Sequence, residues 1–335
     1  MKKIQDTEVR WGVLGVGNVC EVKSAPAMNI VPHSKLVAVM RRDESKVRDY
    51  AERHKVPKWY TSAKDLIQDP EVNAIYIATP PNAHLELTRM AAAAGKPVYV
   101  EKPMARTHAE CQEMIDICQK AGVPLYVAYY RRALPHFLRI KALLEERAIG
   151  EIRTVHINLK QVINPELVAK LEFNWRVHPD ISGGGYFFDL ASHQLDLLDF
   201  FFGKITHASG FSGNQAKAYE AEDIVVGSFA FENGVIGTGN WCFSSSHSAE
   251  KDEITIDGNK GQIRFATFGK GEFTLIQDNQ EPQHFRLQLP HHIQQPLIQS
   301  IVQDLLGTGT CPSTGISGAR ANWVMGKLVE NRIGN

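Results

Sequence analysis

The sequence predicts an α/β protein built from two domains. Short apolar runs alternate with helical stretches over about the first 127 residues, which is typical of a doubly wound parallel sheet covered by helices on both faces. From Gly203 to Leu289 the chain instead shows strands separated by turns, which indicates a large, mostly antiparallel open sheet. A length of 335 residues is too great for one ordinary core. We therefore expect a first domain over residues 1–128 and a second α/β domain over residues 129–335.

The strands of the first domain are predicted from apolar runs that do not alternate with polar residues, because both faces of such strands are buried. These runs are Val9–Leu14, Leu36–Met40, Ala74–Ala78, Val98–Val100 and Leu125–Ala128. The segments of helical character between them are Asp43–Arg53, His84–Ala94 and His108–Lys120. Gly95 and Gly122 lie where helices should end, and each is followed shortly by a proline.

The second domain has a different order of elements. A strand is predicted at Ile152–Val162, residues 164–182 have no regular pattern, and three glycines at 183–185 precede a long apolar helix. The helices predicted in this part of the chain are Leu134–Arg147, Tyr186–Phe202, Ile293–Leu306 and Ser317–Glu330.

The charge balance argues against nucleic acid and membrane partners. Lys+Arg and Asp+Glu both number 37, so the basic excess that phosphate-backbone binding needs is absent. The N-terminus has two lysines without an apolar stretch behind them, and the apolar run Leu197–Phe202 is interrupted by Asp199. The five cysteines form no CxxC pair, which is typical of inert thiols in a reducing compartment. We expect a cytoplasmic protein.

The first predicted strand ends in a glycine-rich turn that favours dinucleotide binding. The turn consists of Gly15, Val16, Gly17, Asn18 and Val19. Gly15 permits a tight turn, Gly17 lets the backbone approach a pyrophosphate, and the following helix offers unpaired N–H groups. The alternative is a turn with a structural role only. Its position early in the chain, after a strand and before a helix, favours a Rossmann dinucleotide-binding domain.

The end of the second strand indicates which dinucleotide binds. An Asp or Glu at this place would hold the ribose hydroxyls of NAD, whereas this chain has Arg41 and Arg42. Two guanidinium groups suit a 2′-phosphate by charge and by bidentate hydrogen bonding, so NADP(H) is favoured and NAD(H) stays an alternative. The other interpretation is a solvated basic turn in which Asp43 caps the next helix.

Two more segments begin where predicted strands end. In a doubly wound sheet, ligands bind outside the carboxyl ends of the strands, so both segments should converge with the glycine-rich turn on the cofactor. The residues of these segments expected to contact the cofactor are Thr79, Pro80, Asn82, His84, Glu101 and Lys102.

The ordered combination of GVGNV, ATPPNAH and EKP resembles the glucose-fructose oxidoreductase/inositol dehydrogenase/MocA family, and the resemblance spans nearly the whole chain. Downstream, the segment 183–193 resembles the family's GGG-x-x-x-D-x-x-x-H element, and Trp175-Arg176 and Tyr130-Arg131-Arg132 resemble further family segments. The resemblance implies a Rossmann domain followed by an α/β domain that carries the substrate and often an oligomer interface. It also implies that Lys102 lies beside the nicotinamide.

Asp189 and His193 are the candidates for proton transfer, together with Lys102. They are four residues apart in a predicted helix, so their Cβ atoms should lie about 6 Å apart on one face. Oxidation of an alcohol needs a hydride acceptor and a group that takes the hydroxyl proton. We expect His193 to take the proton, Asp189 to orient its ring and Lys102 to hydrogen-bond the same oxygen. The alternative is an ordinary surface pair or a buried histidine, and the apolar surroundings favour the catalytic interpretation.

The remaining candidates would line the substrate pocket or extend the cofactor site. Aromatic faces and polar side chains suit carbohydrate rings, and the substrate candidates are Lys102, Tyr130, Gln161, His178, Asp189, His193 and Trp241. Trp241 lies in the predicted strand Gly237–Phe243, where a core position is equally plausible. Arg131, Trp175 and Arg176 are candidate cofactor contacts, and the two arginines could instead bind a substrate phosphate or a structural acid. No metal site is expected, because the His and Cys spacing does not fit one.

These features predict an NAD(P)-dependent oxidoreductase that transfers a hydride between nicotinamide and a sugar, polyol or related hydroxyl or keto compound. A second hypothesis is a redox-neutral glycoside hydrolase or lyase that keeps NAD tightly bound, and a third is a non-catalytic cofactor-binding sensor. An open sheet in the second domain would leave an exposed surface, so we expect a homodimer or homotetramer formed through it.

Overall fold

The computed structural model describes residues 4–163 and 174–334, which fall into two compact units. The first unit comprises the chain up to residue 105 together with residues 109–133 and 290–319. The second comprises residues 106–108, 134–289 and 320 onwards. The helices of the described chain, in order, are α1 (Asn18–Val22), α2 (Glu44–His54), α3 (Ala63–Gln68), α4 (His84–Ala93), α5 (His108–Ala121), α6 (Pro135–Glu145), α7 (Pro179–Ser182), α8 (Tyr186–Phe202), α9 (Gln295–Leu306) and α10 (Gly315–Val329).

The sheet of the first unit has six described strands, and every neighbouring pair is parallel. The strands are β1 (Val9–Leu14), β2 (Ser34–Met40), β3 (Lys58–Tyr60), β4 (Ala74–Ile77), β5 (Val98–Val100) and β6 (Leu125–Val127). They lie in the order β3-β2-β1-β4-β5-β6, so the winding reverses between β1 and β4. The predicted doubly wound parallel sheet is confirmed.

Burial explains why these short runs form strands. All of the residues of β4, β5 and β6 are buried, because helices cover both faces of a parallel sheet. Gly95 and Gly122 both have a φ of 69° just after α4 and α5, the left-handed conformation expected where a helix ends. The edge strand β3 was not predicted, because its three residues lack a buried apolar run and Trp59 is exposed.

The first unit also includes a segment from near the end of the chain. Helix α9 contributes Leu297, Ile301 and Leu305 to the same buried apolar cluster that contains Trp11 and Val13 of β1. The predicted domains, residues 1–128 and 129–335, place α9 in the second domain, whereas α9 packs in the core of the first unit. The sequence pattern predicts the apolar stripe of α9 but carries no information about which core the stripe covers.

The second unit contains a mixed sheet of nine strands in its described residues. The strands are β7 (Ile152–Val162), β8 (Ile205–Gly213), β9 (Ile224–Phe231), β10 (Ile236–Ser245), β11 (Lys251–Gly258), β12 (Gly261–Phe265), β13 (Glu272–Gln277), β14 (Gln283–Arg286) and β15 (Asn331–Ile333). Their order is β14-β13-β12-β11-β7-β10-β9-β8-β15, and only the β7–β10 and β8–β15 pairs are parallel. The predicted large, mostly antiparallel sheet is therefore confirmed.

The region predicted to be irregular is described in part. Residues 164–173 lie outside the described residues, and a single turn of 3₁₀ helix at Trp175–Val177 precedes α7. Within the ranges 4–163 and 174–334, no helix has the length and apolar character needed to cross a bilayer.

Candidate active site

The loops that follow four neighbouring strands of the first unit lie at one edge of its sheet. Backbone hydrogen bonds set this arrangement: Ala78 N–H donates to Leu14 O over 2.8 Å, Glu101 N–H to Ile77 O over 2.9 Å, and Ala128 N–H to Val100 O over 2.9 Å. Four segments therefore begin side by side at this edge. They are the glycine-rich turn at residues 15–19 and the segments that contain Thr79, Glu101 and Tyr130, which are named below after these residues. This is the edge at which doubly wound sheets bind ligands.

The two glycines of the turn differ in what surrounds them. Gly15 has a φ of 90°, and a Cβ placed on it would lie 2.7 Å from Thr79 Cγ2. A Cβ on Gly17 would meet nothing among the described atoms closer than Gly15 O at 3.9 Å. The fold itself therefore requires glycine at position 15 but not at position 17. The open space beside the Gly17 Cα atom allows a pyrophosphate to approach the backbone closely.

The helix after the turn is short. Gly17 is the N-cap of α1, which has only five residues, with Asn18 exposed and Val19 half-buried. Val16 is buried in the core, so only its backbone faces the turn. Because a helix dipole grows with the number of aligned peptides, α1 contributes less to anion binding than a full-length helix would.

We expect substitutions at the two glycines to have different effects. Gly15→Ala should lower the melting temperature, because its Cβ clashes with Thr79 in a left-handed conformation and costs about 2 kcal/mol or more. Gly17→Ala should leave the melting temperature within about 2 °C of the wild type and weaken cofactor binding about tenfold or more. Thermal unfolding and calorimetric titration of the two variants measure these effects. Unchanged cofactor affinity in Gly17→Ala would contradict a pyrophosphate site here.

Arg41 and Arg42 lie beside the turn in different environments. Arg41 is half-buried, and its Nη1 donates a hydrogen bond to Val16 O over 3.1 Å. Arg42 is exposed. Asp43 caps α2 by accepting a hydrogen bond from Lys46 N–H over 3.1 Å. Hydrogen bonds from Ser45 Oγ and then from Lys46 lower the pKa of the Asp43 carboxyl to about 2. Asp43 therefore caps α2 while Arg41 and Arg42 lie beside the turn. The helix cap and a phosphate-binding role of the two arginines are compatible with each other.

His84 holds the backbone of the Thr79 segment in place. This imidazole is fully buried, and its two ring nitrogens lie 2.8 Å from Thr79 O and 3.0 Å from Met104 O. Burial lowers the pKa of the ring. The prediction that His84 contacts the cofactor is corrected, because a fully buried side chain cannot reach a ligand; it instead ties together the two loops on either side.

Thr79 carries a polar group that the fold does not satisfy. Its Oγ1 is buried and makes no hydrogen bond within the part of the chain that the structure describes. A buried hydroxyl without a partner costs free energy. Pro80 is half-buried beside it, and Asn82 is exposed on the following 3₁₀ turn.

Glu101 lies beneath the loop that carries Lys102. The residue is 8% exposed, and its Oε1 accepts hydrogen bonds from Tyr76 Oη over 2.6 Å and from Gln294 Nε2 over 2.7 Å. Its Oε2 accepts a hydrogen bond from Lys102 N–H over 3.1 Å. These hydrogen bonds hold the loop in place, and the cofactor contact of Glu101 stays a prediction. Lys102 itself is half-buried and precedes a cis peptide bond to Pro103.

Gln294 is a site residue that sequence reasoning missed. It is 1% exposed, lies at the start of α9 and is separated from Glu101 by 193 residues. No spacing rule connects positions so far apart. A polar residue directly before an apolar helix was the only signal, and such a residue is ordinarily a helix cap.

The Tyr130 segment follows β6 at the same edge. Tyr130 is half-buried, and the guanidinium carbon of Arg131 lies 4.9 Å from the centre of its ring. Arg131 is only 5% exposed. Arg132 is equally buried and donates a hydrogen bond to Pro312 O over 3.1 Å. A cation–π contact therefore holds the Arg131 guanidinium against the Tyr130 ring.

In the second unit, Asp189 and His193 lie one turn apart on α8. Asp189 is half-buried, and its Oδ2 lies 3.2 Å from Arg176 Nε in an ion pair. The Arg176 guanidinium in turn lies 4.5 Å from the centre of the Trp175 ring. Arg176 therefore contacts an acid of its own unit, and its predicted contact with the cofactor stays a prediction. His193 is 4% exposed and faces the edge of the Phe268 ring, with centroids 6.1 Å apart.

The three glycines before α8 permit close packing. A Cβ on Gly183 would lie 2.3 Å from Arg106 O, and one on Gly184 would lie 2.1 Å from the Phe188 ring. Gly185 N–H donates to Glu222 Oε1 over 2.9 Å, and burial raises the pKa of the Glu222 carboxyl. Glu222 was not predicted, although a carboxylate at a helix N-terminus stabilises the helix that carries Asp189 and His193.

Trp241 is a core residue, and its predicted role as a substrate contact is wrong. It is fully buried on β10, lies edge-on to Phe187 at 5.1 Å and donates from Nε1 to Gln194 Oε1 over 2.7 Å. Its position under α8 gives a ligand no access. Gln161 and His178 are half-buried and keep the accessibility that a substrate contact needs. Among the described residues, no group of three or more His, Cys, Asp or Glu side chains is arranged to hold a metal ion.

A glycine-rich turn at the carboxyl edge of a doubly wound sheet is the arrangement that dinucleotide-binding domains share. Residues 9–129 match the oxidoreductase family model described as an NAD-binding Rossmann fold, and residues 137–264 match the GFO/IDH/MocA C-terminal domain. The chain belongs to the Gfo/Idh/MocA oxidoreductase family.

Similar proteins agree with this assignment. Oxidoreductase P35 of Formosa agariphila is 40% identical over 96% of this chain and 98% of its own length. The 1,5-anhydro-D-fructose reductase of Ensifer adhaerens is 27% identical over 76% of this chain and 74% of its own length. The structure of a levoglucosan dehydrogenase in complex with NADH and levoglucosan has the same fold, with a TM-score of 0.87, 20% identity and 96% coverage of each chain.

Proposed function

We propose that this enzyme uses NADP(H) to oxidise a hydroxyl group of a sugar or polyol, or to reduce the corresponding ketone. The observation that carries the proposal is the glycine-rich turn, where Thr79 requires glycine at position 15 while the fold leaves the space above Gly17 open. The similarity to the 1,5-anhydro-D-fructose reductase from Ensifer adhaerens and to the levoglucosan dehydrogenase supports a carbohydrate-like substrate.

The proposed chemistry assigns one task to each residue. The nicotinamide, when bound, supplies hydride transfer. His193 accepts the proton of the substrate hydroxyl, and Lys102 donates a hydrogen bond to the oxygen and stabilises its developing negative charge. Asp189, which pairs with Arg176 over 3.2 Å, orients the ring of His193 one turn further along α8. Tyr130, Gln161 and His178 are the proposed lining of the substrate pocket.

The cofactor preference is proposed from the two arginines. Arg41 is half-buried and donates a hydrogen bond to Val16 O of the turn, and Arg42 is exposed, so the pair offers one anchored and one exposed guanidinium. No carboxylate occupies the position at the end of β2 that would bind a ribose 2′-hydroxyl, because Asp43 is engaged as the α2 cap. This arrangement supports NADP(H) over NAD(H).

We expect Arg42→Ala to weaken NADP binding about tenfold or more and to leave NAD binding unchanged, since a charge-assisted hydrogen bond to phosphate is lost. Isothermal titration calorimetry with both cofactors measures the effect. Arg48→Ala serves as the matched control, because Arg48 is an exposed arginine of α2 paired with Glu52. Tighter binding of NAD than of NADP by the wild type would contradict the preference.

The assembly is proposed to be a homodimer or homotetramer formed through the sheet of the second unit. Four large apolar residues of this sheet are 45% to 62% exposed: Phe211, Val226, Ile236 and Ile333. Apolar side chains on a sheet face favour burial against another surface. Light scattering of the wild type and of Phe211→Lys tests the proposal, which predicts an oligomer that the substitution weakens. The five free cysteines fit the cytoplasmic location we propose.

The experiment that tests the proposed function is a substrate screen with cofactor. Sugars and polyols are incubated with the enzyme and NADP, and absorbance of the reduced nicotinamide is followed. Net formation of reduced cofactor supports a dehydrogenase. Cleavage of a glycoside without net reduction would instead identify the redox-neutral hydrolase or lyase.

A further inference from the structure

The loop between β12 and β13, residues 266–271, lies against the part of α8 that carries His193. Two consecutive residues of this loop meet two consecutive residues of the helix. Gln194 Nε2 donates a hydrogen bond to Thr267 Oγ1 over 3.2 Å. The Phe268 and His193 rings have centroids 6.1 Å apart and planes inclined at 77°. This is the edge-to-face geometry that aromatic pairs favour, so the loop contacts the proposed base directly.

The helix side of this contact is fixed by a buried glutamine. Gln194 is fully buried, and its Oε1 accepts a hydrogen bond from Trp241 Nε1 over 2.7 Å. An indole N–H can only donate, which places the amide oxygen toward Trp241 and leaves the amide nitrogen to donate to Thr267. Because both ends of the amide are engaged, α8 cannot shift beside His193 without breaking a buried hydrogen bond.

The loop side of the contact is fixed by Asp252 on β11. The pairing of β11 with β12 ends at Ile254 and Phe265. Beyond this pair, the Asp252 carboxylate supplies the acceptors: Oδ1 accepts from Thr267 N–H over 3.1 Å, and Oδ2 accepts from Phe268 N–H over 2.6 Å. A carboxylate has two oxygens that only accept, so it suits two neighbouring backbone donors. The backbone of Phe268 is therefore held where its ring meets His193.

We propose that Asp252 and Phe268 are positioning residues for His193. The Asp252 carboxylate fixes the loop, and the Phe268 ring holds the imidazole in the orientation that proton transfer needs. The inference rests on the proposed function, in which His193 is the base. A general base works only within hydrogen-bond reach of the proton it accepts, and a misplacement of about 1 Å lowers the rate strongly.

The first test follows the His193 ring by NMR on the full chain, labelled with carbon-13 at the histidine Cε1 atoms. His193→Asn assigns the His193 signal by its disappearance. Phe268→Leu should move this signal, because an aromatic ring shifts the resonances of nearby protons, whereas Phe268→Tyr keeps the ring and should leave the signal in place. Asp252→Asn replaces one accepting oxygen by a donating group, so one loop N–H loses its bond and the signal should move as well.

The second test is kinetic. Phe268→Leu should lower kcat about tenfold and Asp252→Asn about threefold, because a misaligned base slows proton transfer. KM should stay within about twofold of the wild type, since the loss occurs in the transition state. Phe268→Tyr should restore kcat to within about threefold of the wild type. A higher KM with unchanged kcat in Phe268→Leu would make Phe268 a substrate contact and overturn the proposal.

The matched controls are Phe285→Leu and Asp278→Asn, the same changes on β14 and in the turn before it. Phe285 is half-buried and Asp278 is exposed. Both variants should leave the His193 signal and kcat unaltered. An unmoved His193 signal in either Phe268→Leu or Asp252→Asn, or an equal loss of kcat in the controls, would overturn the proposal. The NMR test needs no substrate or cofactor, so a wild type that never reduces nicotinamide would refute the proposed function, while the His193 signal would still decide whether the loop positions the ring.

Discussion

Lys102→Ala is expected to lower kcat about 10³-fold while cofactor affinity stays within about threefold of the wild type. The amine is proposed to stabilise negative charge on the substrate oxygen, an interaction that is stronger in the transition state than in the ground state. The fold should tolerate the change, because Lys102 is half-buried and the Glu101 bond to its backbone N–H does not need the side chain. Steady-state kinetics and calorimetric titration of NADP measure the two quantities.

The control for this variant is Lys120→Ala, which removes an exposed lysine at the end of α5. Its kcat should equal that of the wild type. A Lys102→Ala enzyme that keeps more than about a tenth of wild-type kcat would remove Lys102 from the catalytic group.

His193→Asn is expected to lower kcat about 10²-fold to 10⁴-fold, the range typical for loss of a general base. Asparagine has a similar size and a polar end, so it preserves most of the packing against Phe268 in this 4% exposed position. The loss should be in kcat rather than KM, since proton transfer occurs in the transition state. Activity measured across the pH range, with circular dichroism to verify folding, distinguishes a lost base from a lost fold.

For His193 the matched control is His207→Asn on β8, where the histidine is exposed. Wild-type activity in His207→Asn and severe loss in His193→Asn are the expected pair. If His193→Asn turned over at the wild-type rate, the base would have to be another group and the proposed chemistry would need a different proton acceptor.

Much of the fold follows from local pattern. The strands Val9–Leu14, Val98–Val100 and Ile152–Val162 and the helix Tyr186–Phe202 begin and end at the predicted residues, because uninterrupted apolar runs and helical periodicity are strong local signals. The strand β15 and the edge strand β3 were missed, since three exposed or half-buried residues carry no such signal. Short edge strands depend on a neighbour that already exists.

The candidate site was predictable where one loop follows one strand. Arg41 and the two glycines of the turn lie where the sequence suggested, because the connection from strand to loop is local. Contacts between distant segments were not predictable. The hydrogen bond from Gln294 to Glu101 and the ion pair of Arg176 with Asp189 depend on which segments the fold brings together. The spacing of residues in the sequence does not reveal such contacts. Burial also changed the interpretation of His84 and Trp241, whose residue types alone suggested ligand contacts.

Transfer of deuterium to the cofactor is the most direct test of the central claim. The enzyme is incubated with NADP and with sugars or polyols deuterated at their hydroxyl-bearing carbons, and the reduced nicotinamide is examined by NMR. The proposed function predicts one deuterium at C4 of the nicotinamide for each molecule of ketone or lactone formed. A product that forms while the cofactor stays oxidised and unlabelled would contradict it.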